Sequence, residues 1–191
     1  AEFLGVQKAA QDLVVPITAA QIDFAEKVWT ANGLGAHFNR ASWEYILKTY
    51  GGKLPVRIRA AKEGLIIPTK NVLCVIENTD PKCWWLTTWI ETMLLRAIWY
   101  PTTVGTVSYH IKQVIKEYLE KSGDVAGLPF KLHDFGARGV SSGESAEIGG
   151  AAHLVNFMGT DTISAVTYVM DVYGSDVVGF SIPAAEHSTI T

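Results

Sequence analysis

The stretch Lys131–Thr162, KLHDFGARGVSSGESAEIGGAAHLVNFMGTDT, constrains the fold more than any other part of this 191-residue chain. Between mostly apolar flanks it packs two histidines, an arginine, two Asp, two Glu and six glycines. Glycine at that density lets backbone approach a ligand closely, because no Cβ holds it off. Lys131–Phe135 reads as a short strand, Gly-Ala-Arg-Gly as a turn, and Ser141-Ser142-Gly143-Glu144 as a helix start with a hydroxyl N-cap and an acid in the first turn. A helix N-terminus placed this way is a candidate anion site. Strand-to-helix turns rich in glycine are common, so the pattern alone names no ligand.

Composition removes several classes. At 48% hydrophobic the chain has enough apolar residues for one substantial core, or for parts of two. A net charge of −3 with no basic run argues against a nucleic-acid surface. No apolar run reaches membrane-spanning length; Trp84–Tyr100 is interrupted by Thr87, Thr88, Glu91, Thr92 and Arg96. The start has no signal-peptide pattern. Cys74 and Cys83 do not form a CxxC pair and read as buried reduced thiols, which fits a cytoplasmic setting. The five histidines share no metal-ligand spacing, so no metal site is expected. The chain begins inside an amphipathic pattern and stops just after a polar EHST, and is therefore expected to be a fragment of something longer.

Taken in order, Glu2–Leu13 reads as a helix end. Thr18-Ala-Ala-Gln21 is a capping box that opens a helix to about Thr30, stopped by Asn32-Gly33. Ala41–Tyr50 is a further helix, closed by Gly51-Gly52. Val56, Ile58 and Ala60 alternate with Arg57 and Arg59 in a half-exposed strand; Leu65–Ile67 and Asn71–Glu77 follow as strands. Apolar residues on both faces of Asn71–Glu77 predict a sheet covered on both sides. A strongly apolar core helix is expected from Lys82 to Trp99, ended by Pro101, with a more polar helix over Thr103–Glu120. Some of its tryptophans are candidates for a subunit interface. A domain change is placed at Leu128-Pro129. Beyond it, a short segment at Leu154–Phe157, a helix over Thr162–Tyr173 and a strand over Gly179–Ile182 continue a strand–helix alternation that points to βα units of a parallel sheet or barrel.

HDFGARGVSS, HLVNFMGTDT and SIPAAEHSTIT, with ENTDPKCWWLTTWIET upstream, resemble the corresponding stretches of the nicotinamide phosphoribosyltransferase family. The resemblance runs in order through nearly the whole chain. It implies an α/β protein: a mixed-sheet domain with helices over residues 1–128, then over 129–191 the first βα units of an irregular α/β barrel. It also implies transfer of 5-phosphoribosyl from phosphoribosyl pyrophosphate to nicotinamide, with Mg²⁺ accompanying phosphoribosyl pyrophosphate and ATP. The resemblance further implies a homodimer with active sites at the interface. A nicotinate-type transferase, or a non-catalytic interaction protein that keeps the fold, are the alternatives.

The resemblance also assigns residues. Asp161, which by itself reads as a helix N-cap, matches the carboxylate that accepts the carboxamide N–H of nicotinamide. A fixed carboxylate there attracts an amide and repels nicotinate. Phe135, otherwise a core residue, matches one side of the sandwich that stacks the pyridine ring, the other aromatic coming from a second subunit. Arg138 matches a guanidinium on the phosphoribosyl pyrophosphate side. Ser181 matches a pocket hydroxyl near the ring amide. His187 matches the histidine phosphorylated by ATP, whose phosphoryl state raises affinity for phosphoribosyl pyrophosphate. Glu186 stands behind it. His133 is expected to line a tunnel and His153 to be structural. Family patterns often carry an aromatic where this chain has Ala137, which leaves the shape of that wall open.

Overall fold

The computed structural model describes residues 1–190. Its elements are helices α1 (Val6–Leu13), α2 (Ala19–Ala31), α3 (Arg40–Tyr50), α4 (Leu86–Ser122), α5 (Gly143–Leu154) and α6 (Ile163–Tyr173), with strands β1 (Val56–Ala60), β2 (Cys74–Asn78), β3 (His133–Asp134) and β4 (Gly159–Thr160). They fall into two compact units: residues 1–7, 62–71 and 96–191, and residues 8–61 and 72–95. The boundary expected at Leu128-Pro129 lies inside the first of these. No helix among the described residues is long and apolar enough to cross a membrane.

In the second unit the local rules hold closely. Thr18 caps α2 as a complete capping box, its hydroxyl taking the Gln21 N–H while the Gln21 side chain takes the Thr18 N–H at 2.8 Å. Gly51, at φ 61°, ends α3 in the left-handed conformation that glycine adopts without strain. Strands β1 and β2 pair antiparallel, Val56 opposite Asn78 and Ala60 opposite Cys74. The expectation of a sheet covered on both faces is not met. Among the described residues the sheet has two strands; on its outer face Arg57 and Arg59 both reach Glu77 at 3.3 Å, and Val75 is exposed beside them. Trp29, Trp43, Trp85 and Trp89 meet mainly edge to face, and Ile22, Ile46 and Cys83 are buried. Both cysteines are free thiols.

In the first unit, several expectations are overturned. Pro101 does not end a helix; α4 runs through it to Ser122. A proline there removes the N–H that would bond the Ala97 carbonyl four residues back. That carbonyl instead faces the backbone of Gly5, which sits at φ 100° and so close that a Cβ would lie 1.9 Å from the oxygen. Thr102 then ties the same segment down, its hydroxyl accepting the Leu4 N–H at 3.1 Å and donating to the Leu4 carbonyl at 3.2 Å. Leu65–Ile67, expected as a strand, contributes a single antiparallel bridge from Ile66 to Glu2.

The other end of this unit is a small parallel sheet. β3 pairs with β4, and Gly159 bridges onward to Phe180, also in parallel. The strands expected over Lys131–Phe135 and Gly179–Ile182 are therefore much shorter than their apolar runs suggest. Helix α5 packs on α6 through small residues. A Cβ on Gly150 would fall 2.4 Å from the Ala165 methyl and 2.9 Å from an Asp134 carboxylate oxygen. Glycine to alanine within a helix ordinarily stabilises by about 1 kcal/mol. Here the sign is expected to reverse: Gly150→Ala should destabilise by roughly 1–3 kcal/mol through overpacking, measured as a lowered urea midpoint. A raised midpoint would show that the α5–α6 contact is loose.

Candidate active site

Three chain segments end side by side at the C-terminal edge of the parallel sheet, the edge where ligands of α/β sheets gather. Phe135 follows β3, Asp161 follows β4, and Ser181 follows the bridging Phe180. The sheet holds them through backbone bonds. Thr160 N–H donates to the Phe180 carbonyl at 2.9 Å, and Asp161 N–H to the Asp134 carbonyl at 3.0 Å.

Asp161 is not the cap of α6. The N-cap is Thr162, whose side chain makes no capping bond, and the Asp161 carboxylate turns elsewhere. The Ser181 hydroxyl donates to its Oδ1 at 2.5 Å, and His133 Nε2 stands 3.5 Å from the same oxygen. The Ser181 bond, with a lesser contribution from His133, holds the Asp161 carboxyl below the usual carboxylate range against a modest opposing effect of desolvation. The side chain remains 38% exposed, so the charge is open to a ligand.

Phe135 is about half exposed, and its ring lies against that of His133 with centroids 4.5 Å apart. Arg138 closes a short 3-10 turn, Gly136–Arg138, and is exposed together with Ala137. Glu186 and His187 lie further along, at the start of an exposed 3-10 turn, His187–Thr189. Phe135, His133, Asp161 and Ser181 are thus brought into one cluster. No hydrogen bond or ion pair joins Arg138, Glu186 or His187 to that cluster among the described residues. At the start of α5, Ser142 accepts the Ser145 N–H at 3.1 Å and Glu144 occupies the first turn. The helix end expected as an anion site therefore has its own cap and its own negative charge.

Sequence reasoning missed Asp134. Its Oδ1 accepts the Gly136 N–H at 2.7 Å, its Oδ2 the Thr160 hydroxyl at 3.3 Å, and its carbonyl the Asp161 N–H. One residue thereby fixes both the turn carrying Phe135 and Arg138 and the loop carrying Asp161. The readable signal was the Asp-x-Gly spacing of an Asx turn.

His153, expected to be structural, is buried, and its Nε2–H donates to the Gly159 carbonyl at 3.0 Å. Burial pushes its pKa below the ordinary 6.5. A histidine kept neutral in the fold but free to protonate when unfolded stabilises above its unfolded pKa, and this contribution is lost as pH falls below it. Melting temperature is expected to drop from about pH 7 to about pH 5, and His153→Gln, which still offers a donor but does not titrate, should flatten that slope. An unchanged slope would assign the acid sensitivity to other groups.

Among the described residues no group of three or more His, Cys, Asp or Glu side chains is arranged to hold a metal ion. Known proteins resemble this chain along most of its length. A family model described as the nicotinate phosphoribosyltransferase (NAPRTase) family matches residues 130–191, the segment that holds every candidate residue. The nicotinamide phosphoribosyltransferase of Xanthomonas campestris is 52% identical over 192 residues, 99% of this chain and 40% of that protein. The enzyme of the same name from Acinetobacter baylyi is 36% identical over 141 residues, 73% of this chain and 28% of its own length. That of Mycoplasma genitalium is 34% identical over 142 residues, 72% and 29%. The chain spans well under half the length of these relatives. Over nearly its entire length this chain is thus similar to part of proteins named nicotinamide phosphoribosyltransferase, and over residues 130–191 it matches the nicotinate phosphoribosyltransferase family model.

Proposed function

We propose that the protein to which this chain belongs transfers 5-phosphoribosyl from phosphoribosyl pyrophosphate to the ring nitrogen of nicotinamide, releasing pyrophosphate and nicotinamide mononucleotide. The observation that carries this reading is the ionised Asp161, fixed at the sheet edge beside the exposed ring of Phe135. An aromatic face suits a flat pyridine ring, and stacking strengthens as that ring gains positive charge in the product. A carboxylate accepts an amide N–H and disfavours the carboxylate of nicotinate. For that reason the nicotinamide reading is preferred to a nicotinate one, although the family model takes its description from the latter.

In this proposal β3, β4 and the Phe180 segment open an irregular barrel completed by further chain. Arg138 faces the phosphates of phosphoribosyl pyrophosphate, where a guanidinium fork suits phosphate oxygens. His187 takes a phosphoryl group from ATP, with Glu186 behind it. Mg²⁺ would enter with the phosphates of phosphoribosyl pyrophosphate and ATP, whose hard oxygens suit it. A homodimer supplies the second aromatic over the ring, and the cytoplasm is the proposed compartment.

The direct test is a product assay on the whole protein with phosphoribosyl pyrophosphate and either base. One pyrophosphate per nicotinamide mononucleotide is expected, with nicotinate a much poorer substrate. Preference for nicotinate would overturn the proposal.

A further inference from the structure

His133 sits within the site without a formed hydrogen bond of its own. Its side chain is only 8% exposed, and neither ring nitrogen has a hydrogen-bond partner. Leaving a buried polar ring unpaired is costly, and such cases point to a functional demand or to a partner that arrives later. The ring has little freedom to turn away. Phe135 lies against it, and on the Nδ1 side Gly159 is so close that a Cβ there would sit 2.7 Å from the nitrogen. On the Nε2 side, Asp161 Oδ1 stands at 3.5 Å. The Ser181 hydroxyl donates to that same oxygen, while Oδ2 has no partner among the described residues.

The geometry points to His133 as a positioning residue that, with Ser181, ties down Oδ1 of Asp161 and so presents Oδ2 to the amide of the substrate. Two donors converging on one oxygen fix both the rotation and the plane of a carboxylate. One donor leaves the plane free to swing. The gap of 3.5 Å is longer than a formed hydrogen bond. Bonds of this kind tighten when the ligand engages the other oxygen, as sites without substrate are often loose. His133 therefore acts on selectivity through Asp161 and touches no reacting atom. This inference rests on the proposed role of Asp161 as carboxamide acceptor.

The test uses the whole protein with four variants, His133→Leu, His133→Gln, Asp161→Ser and the Leu/Ser double, and reads the ratio of kcat/KM for nicotinamide over nicotinate. His133→Leu should lower that ratio by about threefold to tenfold, the effect of one lost hydrogen bond. His133→Gln, which restores an N–H at similar reach, should recover most of it. In the Asp161→Ser background, His133→Leu should change the ratio no further, because the carboxylate it positions is gone. A purely packing role would instead lower kcat/KM for both substrates alike and leave the ratio unchanged in either background. If Asp161→Ser collapses the ratio while His133→Leu leaves it intact, the positioning role is wrong and the carboxamide reading stands. An intact ratio in Asp161→Ser removes both. Should His133→Leu fail to fold, His133→Asn, whose N–H falls short of Oδ1, takes its place; equal ratios for Asn and Gln would overturn the inference.

Discussion

Asp161→Ser is expected to lower kcat/KM for nicotinamide by about one to two orders of magnitude, and to make nicotinate a measurable competitor. The carboxylate is ionised and partly exposed, with one oxygen held by Ser181 and the other open. An amide N–H meeting that open oxygen makes a charge-assisted bond, roughly twice as strong as a neutral one. A nicotinate carboxylate in the same place would meet like charge. Serine removes both effects and adds no bulk. Because Ser181 holds the Asp161 carboxyl below its usual range, the amide preference of the unmodified protein should persist down to the lower edge of ordinary carboxylate titration. The competing view, that Asp161 merely caps a helix, predicts early melting with discrimination unchanged. The geometry already speaks against it, since α6 is capped at Thr162 and Asp161 bonds Ser181. Measuring both substrates' kcat/KM beside the melting temperature separates the two, and a variant that melts early yet discriminates as before would leave Asp161 a structural residue.

How far this site could be read beforehand depended on distance along the chain. The capping box at Thr18 and the left-handed glycine closing α3 were legible because both are local, decided within four residues. Pro101 misled for the opposite reason. Whether a proline stops a helix depends on the surroundings of the carbonyl it releases, and here the backbone of Gly5, at the far end of the first unit's chain, packs against that carbonyl. The strand lengths were overestimated around Leu65–Ile67 and Gly179–Ile182, where apolar runs make single bridges. Apolar periodicity reports burial, and burial does not require a ladder. In the site, Asp161 and Ser181 are twenty residues apart and share one hydrogen bond. No spacing rule joins them, so only the family resemblance brought them together in advance. Asp134 escaped even that, because its work is done by a backbone carbonyl and two side-chain bonds that stand behind the ligand-facing residues.

His187→Ala should abolish ATP hydrolysis and raise KM for phosphoribosyl pyrophosphate by on the order of tenfold. Three histidines lie in the segment from residue 130 onward, and the structure separates them by access. His153 is buried and spends its N–H on Gly159; His133 is shut away from solvent against Phe135. His187 alone of the three is exposed, on a turn that follows the Phe180–Ser181 segment. A phosphoryl transfer from ATP needs a ring nitrogen whose lone pair can reach the γ-phosphorus in line, and only an accessible imidazole offers that. In the proposed step the nitrogen would bond to phosphorus as the bond to the β–γ bridging oxygen broke and ADP left, and water would later cleave the N–P bond, returning imidazole and phosphate. The balance requires no other reagent. Alanine removes the nucleophile, so ADP formation and acid-labile protein phosphate should both vanish. The transfer that proceeds without ATP should remain detectable at saturating phosphoribosyl pyrophosphate, because in the proposed reaction the ribosyl bond forms at the nicotinamide nitrogen rather than at His187. Steady-state rates with and without ATP, alongside labelling from γ-labelled ATP, give the comparison. A variant that still incorporated label, or kept its stimulation by ATP, would move the phosphoryl acceptor to another residue and leave His187 an ordinary surface histidine.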